Sequence, residues 1–132
     1  MDVKFIPVDE LRNWWPHIRP GLDKIKTKSP ENWIPEDVYT DCFNQKSMLW
    51  VTFEESRFSG FFILQPMGHT MHVWCAWSLE NRHETLENGL KFIKDIASQG
   101  KCKFISFSSH RAGWQKRAKQ IGFRPKQWIC EV

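Results

Sequence analysis

Hydrophobic and polar positions change period several times along the chain, and each change marks an element. Lys4 to Val8 reads as a short strand, and Asp9 as the N-cap of a helix carrying Leu11, Trp14, Trp15 and Ile18 on one side. Pro16 and Pro20 are expected to kink or divide that helix, because proline lacks the amide and crowds the preceding turn. Thr27 to Trp33 is a loop. Pro35 then suits the first turn of a second helix, with Val38, Cys42 and Phe43 on one side. From Ser47 the period drops to two. Ser47 to Glu54, Phe58 to Gln65 and Thr70 to Trp77 form an antiparallel meander, turned at Glu55-Ser56-Arg57 and at Pro66-Met67-Gly68-His69. Its middle strand is nearly all apolar, which requires cover on both faces.

The clearest helix follows, from Asn81 to Ser98. Leu86, Leu90, Ile93 and Ala97 recur at helical spacing, Asn81 and Glu84 make a capping-box-like start, and Gly100 closes the end. Lys103 to Ser108 is a strand. Trp114, Ala118 and Ile121 form the stripe of a last helix, Gly122 stands where a left-handed cap is needed, and Phe123 can pack back on the final turn. Gln127 to Val132 is expected to close the sheet as a strand. The order β-α-α-β-β-β-α-β-α-β, with no repeat or linker, predicts one α/β domain over residues 1–132. It would hold a mixed sheet with helices on both faces and a right-handed crossover at Asn81–Ser98.

Composition narrows the setting. A chain of 132 residues can bury a core without disulfides or metal. Eight Trp and ten Phe exceed what one small core absorbs, so some indoles are expected at the surface, where Trp favours interfaces. The net charge of +4 is unevenly spread: from Lys91 onward, Lys94, Lys101, Lys103, Arg111, Lys116, Arg117, Lys119, Arg124 and Lys126 face only Asp95 and Glu131. Such a half could meet nucleic acid or an acidic protein, or simply be a solvated face. Cys42, Cys75, Cys102 and Cys130 show no metal-ligand spacing, and reduced cysteines point to a cytoplasmic setting. No apolar run approaches the length that spans a bilayer.

The element order resembles the GNAT acyltransferase fold over almost the whole chain, and the stretch Arg111-Ala112-Gly113-Trp114 through Ala118 to Ile121-Gly122-Phe123 is similar to the family's penultimate helix. In size and aromatic content the chain also resembles acetyltransferase-like proteins of tailed bacteriophages. The resemblance implies acetyl-CoA as acyl donor. It would lie along Trp74, Cys75 and Ala76 and over Arg82, His83 and Thr85, at the start of the crossover helix. The family's loop there carries glycines that let a diphosphate approach the backbone amides. Glu80-Asn81-Arg82-His83-Glu84-Thr85-Leu86-Glu87 has none, and it brings three carboxylates.

Candidate chemistry is correspondingly divided. His72, on the strand from which the family supplies a general base, has the right intrinsic pKa to take a proton from an ammonium group. The family's acid is a tyrosine on the last major helix; the single tyrosine here, Tyr39, lies far earlier, and Ser108 or Ser109 could substitute. Trp33, in a loop beside Lys26 and Lys28, reads as an exposed anchor for a protein partner, or as a stacking surface for nucleic-acid bases. The glycine-free loop favours a degenerate acetyltransferase fold acting as a protein-binding accessory or virion-associated domain, needing no cofactor. The alternative is a working N-acyltransferase using acetyl-CoA through an atypical loop.

Overall fold

A computed structural model describes residues 1–80, 82–109 and 113–132. The elements run β1 (Asp2–Ile6), α1 (Val8–Thr27), α2 (Pro35–Phe43), β2 (Met48–Glu54), β3 (Arg57–Met67), β4 (Thr70–Ser78), α3 (His83–Gln99), β5 (Phe104–Phe107) and α4 (Trp114–Gln120). One sheet contains the strands in the order β1-β2-β3-β4-β5. The first four pair antiparallel, and β5 lies parallel to β4 after the α3 crossover.

The apolar middle strand explains the layering. Phe61 and Ile63 of β3 face a core built with Leu11, Ile18 and Leu22 of α1 and Val38 and Cys42 of α2. Phe62 and Leu64 face the opposite way, toward Ile93 and Ala97 of α3. α1 comes so close to the sheet at Gly21 that a Cβ there would meet the Phe61 and Trp77 rings at 2.7 and 2.8 Å. Asp41 of α2 accepts hydrogen bonds from the Ser47 hydroxyl (2.5 Å) and the Gln65 amide (3.3 Å), tying that helix to the sheet.

Several expectations need correction. α1 is one continuous helix despite Pro16 and Pro20, and it begins at Val8 behind Pro7 instead of behind Asp9. Both prolines lie on the exposed face, where carbonyls that lose an amide partner can turn to water. Phe43 is exposed, not part of the α2 stripe. Gly100 takes an ordinary φ of −82°, and the left-handed position falls on Lys101 at +58°. Gln127 to Val132 does not join the sheet; Trp128 and Ile129 are 89% and 82% exposed. They are adjacent, so pairing along the β5 edge would send one of them away from the core. Gly122 behaves as expected. With φ at +94°, the Gly122 amide bonds Lys119 O and the Phe123 amide bonds Ala118 O, both bonds of a Schellman cap. Asn81, His110, Arg111 and Ala112 lie outside the described residues, so the expected Asn81 cap does too.

The β2–β3 turn carries a measurable strain. Glu54 pairs with Arg57, and the two residues between them, Glu55 and Ser56, have φ of 50° and 65°. This is the type I′ arrangement that Asn-Gly fills without steric cost. The double substitution Glu55→Asn, Ser56→Gly should therefore raise unfolding free energy by about 1 kcal/mol. Urea denaturation checks it: the midpoint should rise at constant slope. An unchanged midpoint would mean that the native pair is already relaxed.

Candidate active site

The site arises because β4 is longer than its neighbour. β5 has only four residues, and its register with β4 runs from Thr70↔Phe104 to Val73↔Phe107. β4 continues through Trp74 to Ser78, still paired with β3 but past the end of β5. The sheet therefore opens into a wedge after Val73. A bulge sits at the same point: Leu64 pairs with Val73 while Ile63 pairs with Cys75, which leaves Trp74 as the extra residue. Val73 packs with the α3-side core, whereas Trp74, Cys75 and Trp77 belong to the α1-side core.

His72 stands just inside the wedge. It is half-buried, and its Nδ1 lies 2.8 Å from Ser106 Oγ on β5. The two residues are register partners on adjacent strands. Burial holds the imidazole below its ordinary pKa, with the Glu31 carboxylate pulling weakly the other way. A neutral ring at pH 7 follows, with Nδ1 engaged by Ser106.

The loop between α1 and α2 covers this face. Trp33 is half-buried there, edge-on to Trp74 at 6.0 Å and 72°, so it is not the exposed anchor that its sequence context suggests. Lys26 lies 5.5 Å over the Trp33 ring and donates to the Glu31 carbonyl, whereas Lys28 is simply exposed. Tyr39 packs against Trp15 and Phe43, at 5.0 and 6.4 Å.

Across the wedge, α3 begins at His83, with Arg82 as an N-cap that makes no side-chain cap bond. The first intrahelical bond joins Leu86 N to Arg82 O, so the turn before it presents amides and the positive end of the helix dipole. Two of the three carboxylates there are already paired. Glu80 meets Arg82 at 2.9 Å and Glu87 meets His83 at 2.9 Å. These pairs are more than half exposed, so each is worth little and is readily exchanged. Thr85 is half-buried in the first turn. Ser108 and Ser109 follow β5 as exposed residues.

Of the strand residues expected to line a donor, Cys75 turns inward. Its thiol is buried and, like that of Cys42, pushed up to about 12 by burial, which removes both as nucleophiles at neutral pH. Cys75 can therefore offer only its backbone to a ligand. Ala76 is exposed and Trp74 half-buried. Ser106 and Glu31 are site residues that sequence reasoning missed. The available signal for Ser106 was a lone hydroxyl in the apolar run Phe104-Ile105-Ser106-Phe107.

No family model matches the chain, and no curated protein matches its sequence. Solved structures do match. A probable acetyltransferase shares 18% identity at a TM-score of 0.69, covering 100% of this chain and 95% of that one. Ribosomal-protein-alanine N-acetyltransferase from Brucella melitensis biovar Abortus 2308 shares 14% at 0.67, covering 100% and 98%. The aminoglycoside acetyltransferase AAC(6')-Iy, solved with the bisubstrate analogue CoA-S-monomethyl-acetylneamine, shares 11% at 0.68, covering 99% and 95%. At such identities the likeness speaks for architecture: the mixed five-stranded sheet with its four helices is the GNAT acetyltransferase fold.

Proposed function

We propose that the protein is an N-acyltransferase that moves an acetyl group from acetyl-CoA to an amine. The observation that carries this reading is the wedge, where β4 outruns β5 at a bulge and His72 is held beside the opening by Ser106. The acetyltransferase neighbours, one of them solved with CoA, favour it over an accessory binding role.

The residues fit a donor of this kind. The uncapped first turn of α3 offers amides to a diphosphate, and Arg82 can exchange Glu80 for a phosphate oxygen. Without glycine the approach is less close, so micromolar rather than tighter affinity is expected. When bound, the thioester supplies an activated acetyl group. The chain's own part is positional and protonic. Neutral His72 takes the proton from the acceptor ammonium, directly or through one water, which makes the nitrogen nucleophilic. Ser108 and Ser109, exposed beyond β5, are the candidate hydroxyls to relay a proton to the departing sulfur. Trp33 and Trp74 wall the face that the acceptor would approach.

Calorimetric titration with acetyl-CoA, joined to a thermal-shift series, tests the proposal. Binding should stabilise the fold by about 2.7 kcal/mol at a hundredfold excess over Kd, and Arg82→Ala should weaken it several-fold. No heat and no shift at millimolar acetyl-CoA would reject the reading.

A further inference from the structure

Two lysines are laid on indoles at the wall of the wedge. β4 carries Trp74 and Trp77 on its stretch beyond β5, and both pack against the α1-side core. α1 comes close there, since a Cβ on Gly21 would meet the Trp77 ring at 2.8 Å. One turn further along α1, the Lys24 ammonium lies 5.7 Å from the centroid of Trp77. Lys26 lies 5.5 Å over Trp33, whose ring stands edge-on to Trp74 at 6.0 Å. A cation over an indole face is attracted by the ring quadrupole, so each charge has a preferred place. Neither lysine is ion-paired among the described residues, whereas Arg19 on the same helix is taken by Asp23 and Glu36. Lys26 uses one of its three donors on the Glu31 carbonyl and keeps two.

The charges along this wall are ordered. Exposed Lys28 adds a third cation, and the one carboxylate of residues 24–33, Glu31, bears on His72. Negative charge thus stands where an ammonium would arrive, and positive charge farther along. Three strand steps separate Trp74 from Trp77, about 10 Å, and five separate His72 from Trp77, about 16 Å. A small acid cannot meet both cations while its amine meets His72, but an extended peptide can. Resting on the acyltransferase reading, we propose that Lys24 over Trp77 and Lys26 over Trp33 dock an acidic peptide whose N-terminal amine is acetylated beside His72. The acetyl carbon exchanges its bond to sulfur for a bond to the peptide nitrogen. Of the two protons that the ammonium gives up, one goes to His72 and on to solvent, and the other to the departing thiolate.

Initial rates with acetyl-CoA on three hexapeptides test this, each with a free N-terminal serine followed by acidic, neutral or basic residues. Measured by thiol release, the acidic peptide should show a kcat/KM about tenfold above the neutral one, with the basic peptide below both. The advantage should shrink as salt rises. Lys24→Glu together with Lys26→Glu should reverse the order of acidic and basic peptides, with far-UV circular dichroism and acetyl-CoA affinity retained. Lys24→Glu alone, at an exposed position, should narrow the gap without touching the bond from Lys26 to the Glu31 carbonyl. Fluorescence anisotropy of the acidic peptide, labelled at its C-terminus, reads docking without the donor and should show binding that the double variant loses. Equal rates for the three peptides, or an acidic preference untouched by both variants, overturn the proposal. So does a chain that binds acetyl-CoA but neither binds nor acetylates the acidic peptide, and there the acyltransferase reading survives. Failure to bind acetyl-CoA removes that reading and the acceptor role with it, even where anisotropy shows docking.

Discussion

Gly60→Ala should destabilise the fold by about 3 kcal/mol, the upper part of the range for forcing one extra carbon into a packed interior. The reason is the neighbour that the new methyl would meet. An ideal Cβ at Gly60 lies 2.3 Å from the carbonyl oxygen of Trp77 and 3.0 Å from Ser78 Cα, both backbone atoms of β4. A side chain could rotate away, but a strand must move as a whole. Gly60 pairs with Ser78 at the far end of β4, so the displaced backbone is the stretch that forms one wall of the wedge. Gly89→Ala is the matched control. Nothing lies within 4 Å of a Cβ there, and the site is inside α3, where alanine is favoured over glycine by about 1 kcal/mol. Urea unfolding should thus move in opposite directions for the same chemical change. If Gly60→Ala unfolded at the wild-type midpoint, β3 and β4 would be separable at their ends, and the wedge wall would be softer than its packing implies.

These positions also show what the sequence could and could not reveal. The long helices α1 and α3 were legible because each buries residues at helical spacing: Leu11, Ile18 and Leu22 in α1, Ile93 and Ala97 in α3. The meander was legible because its turns carry local signals, such as Gly68 with φ of 62°. Non-local features were not. The partner of His72 is thirty-four residues away and is reached only through the parallel register of β4 and β5. The wedge depends on β5 stopping after four residues, and no strong breaker follows Phe107 in Ser108-Ser109. The bulge at Trp74 arises from mispairing with β3 and has no glycine to announce it. Trp33 looked exposed because its neighbours are polar, yet its ring is held by Trp74 from another element. The expected closing strand failed because strand-forming side chains alone do not fix a pairing: the β5 edge is free, yet 127–132 does not join it.

His72→Ala should lower turnover by about 100-fold, the lower end of what a positioned general base contributes, with the acetyl-CoA affinity unchanged. The geometry makes the pH dependence specific. Burial disfavours the charged imidazolium, so the ring loses its proton at a pH below the ordinary value of 6.5. Only the neutral ring can accept a proton. Turnover should therefore rise as pH increases through an apparent pKa below 6.5 and then level off, and His72→Ala should erase that acidic limb. Stability follows the same sign. The unfolded chain binds this proton more readily than the folded one, so His72 adds to a loss of stability as pH falls below 6.5, and has no such effect above it. Ser106→Ala separates chemistry from placement. It removes the hydroxyl at Nδ1 and leaves the ring, so kcat should fall about tenfold with KM little changed. His72→Gln retains a polar group able to meet Ser106 but cannot serve as a base near neutral pH; it should be as slow as the alanine variant while melting closer to wild type. If His72→Ala kept full turnover and the same pH profile, the base would be elsewhere in the wedge. Acetyl-CoA binding would still stand on α3 and the free end of β4, because neither depends on the imidazole.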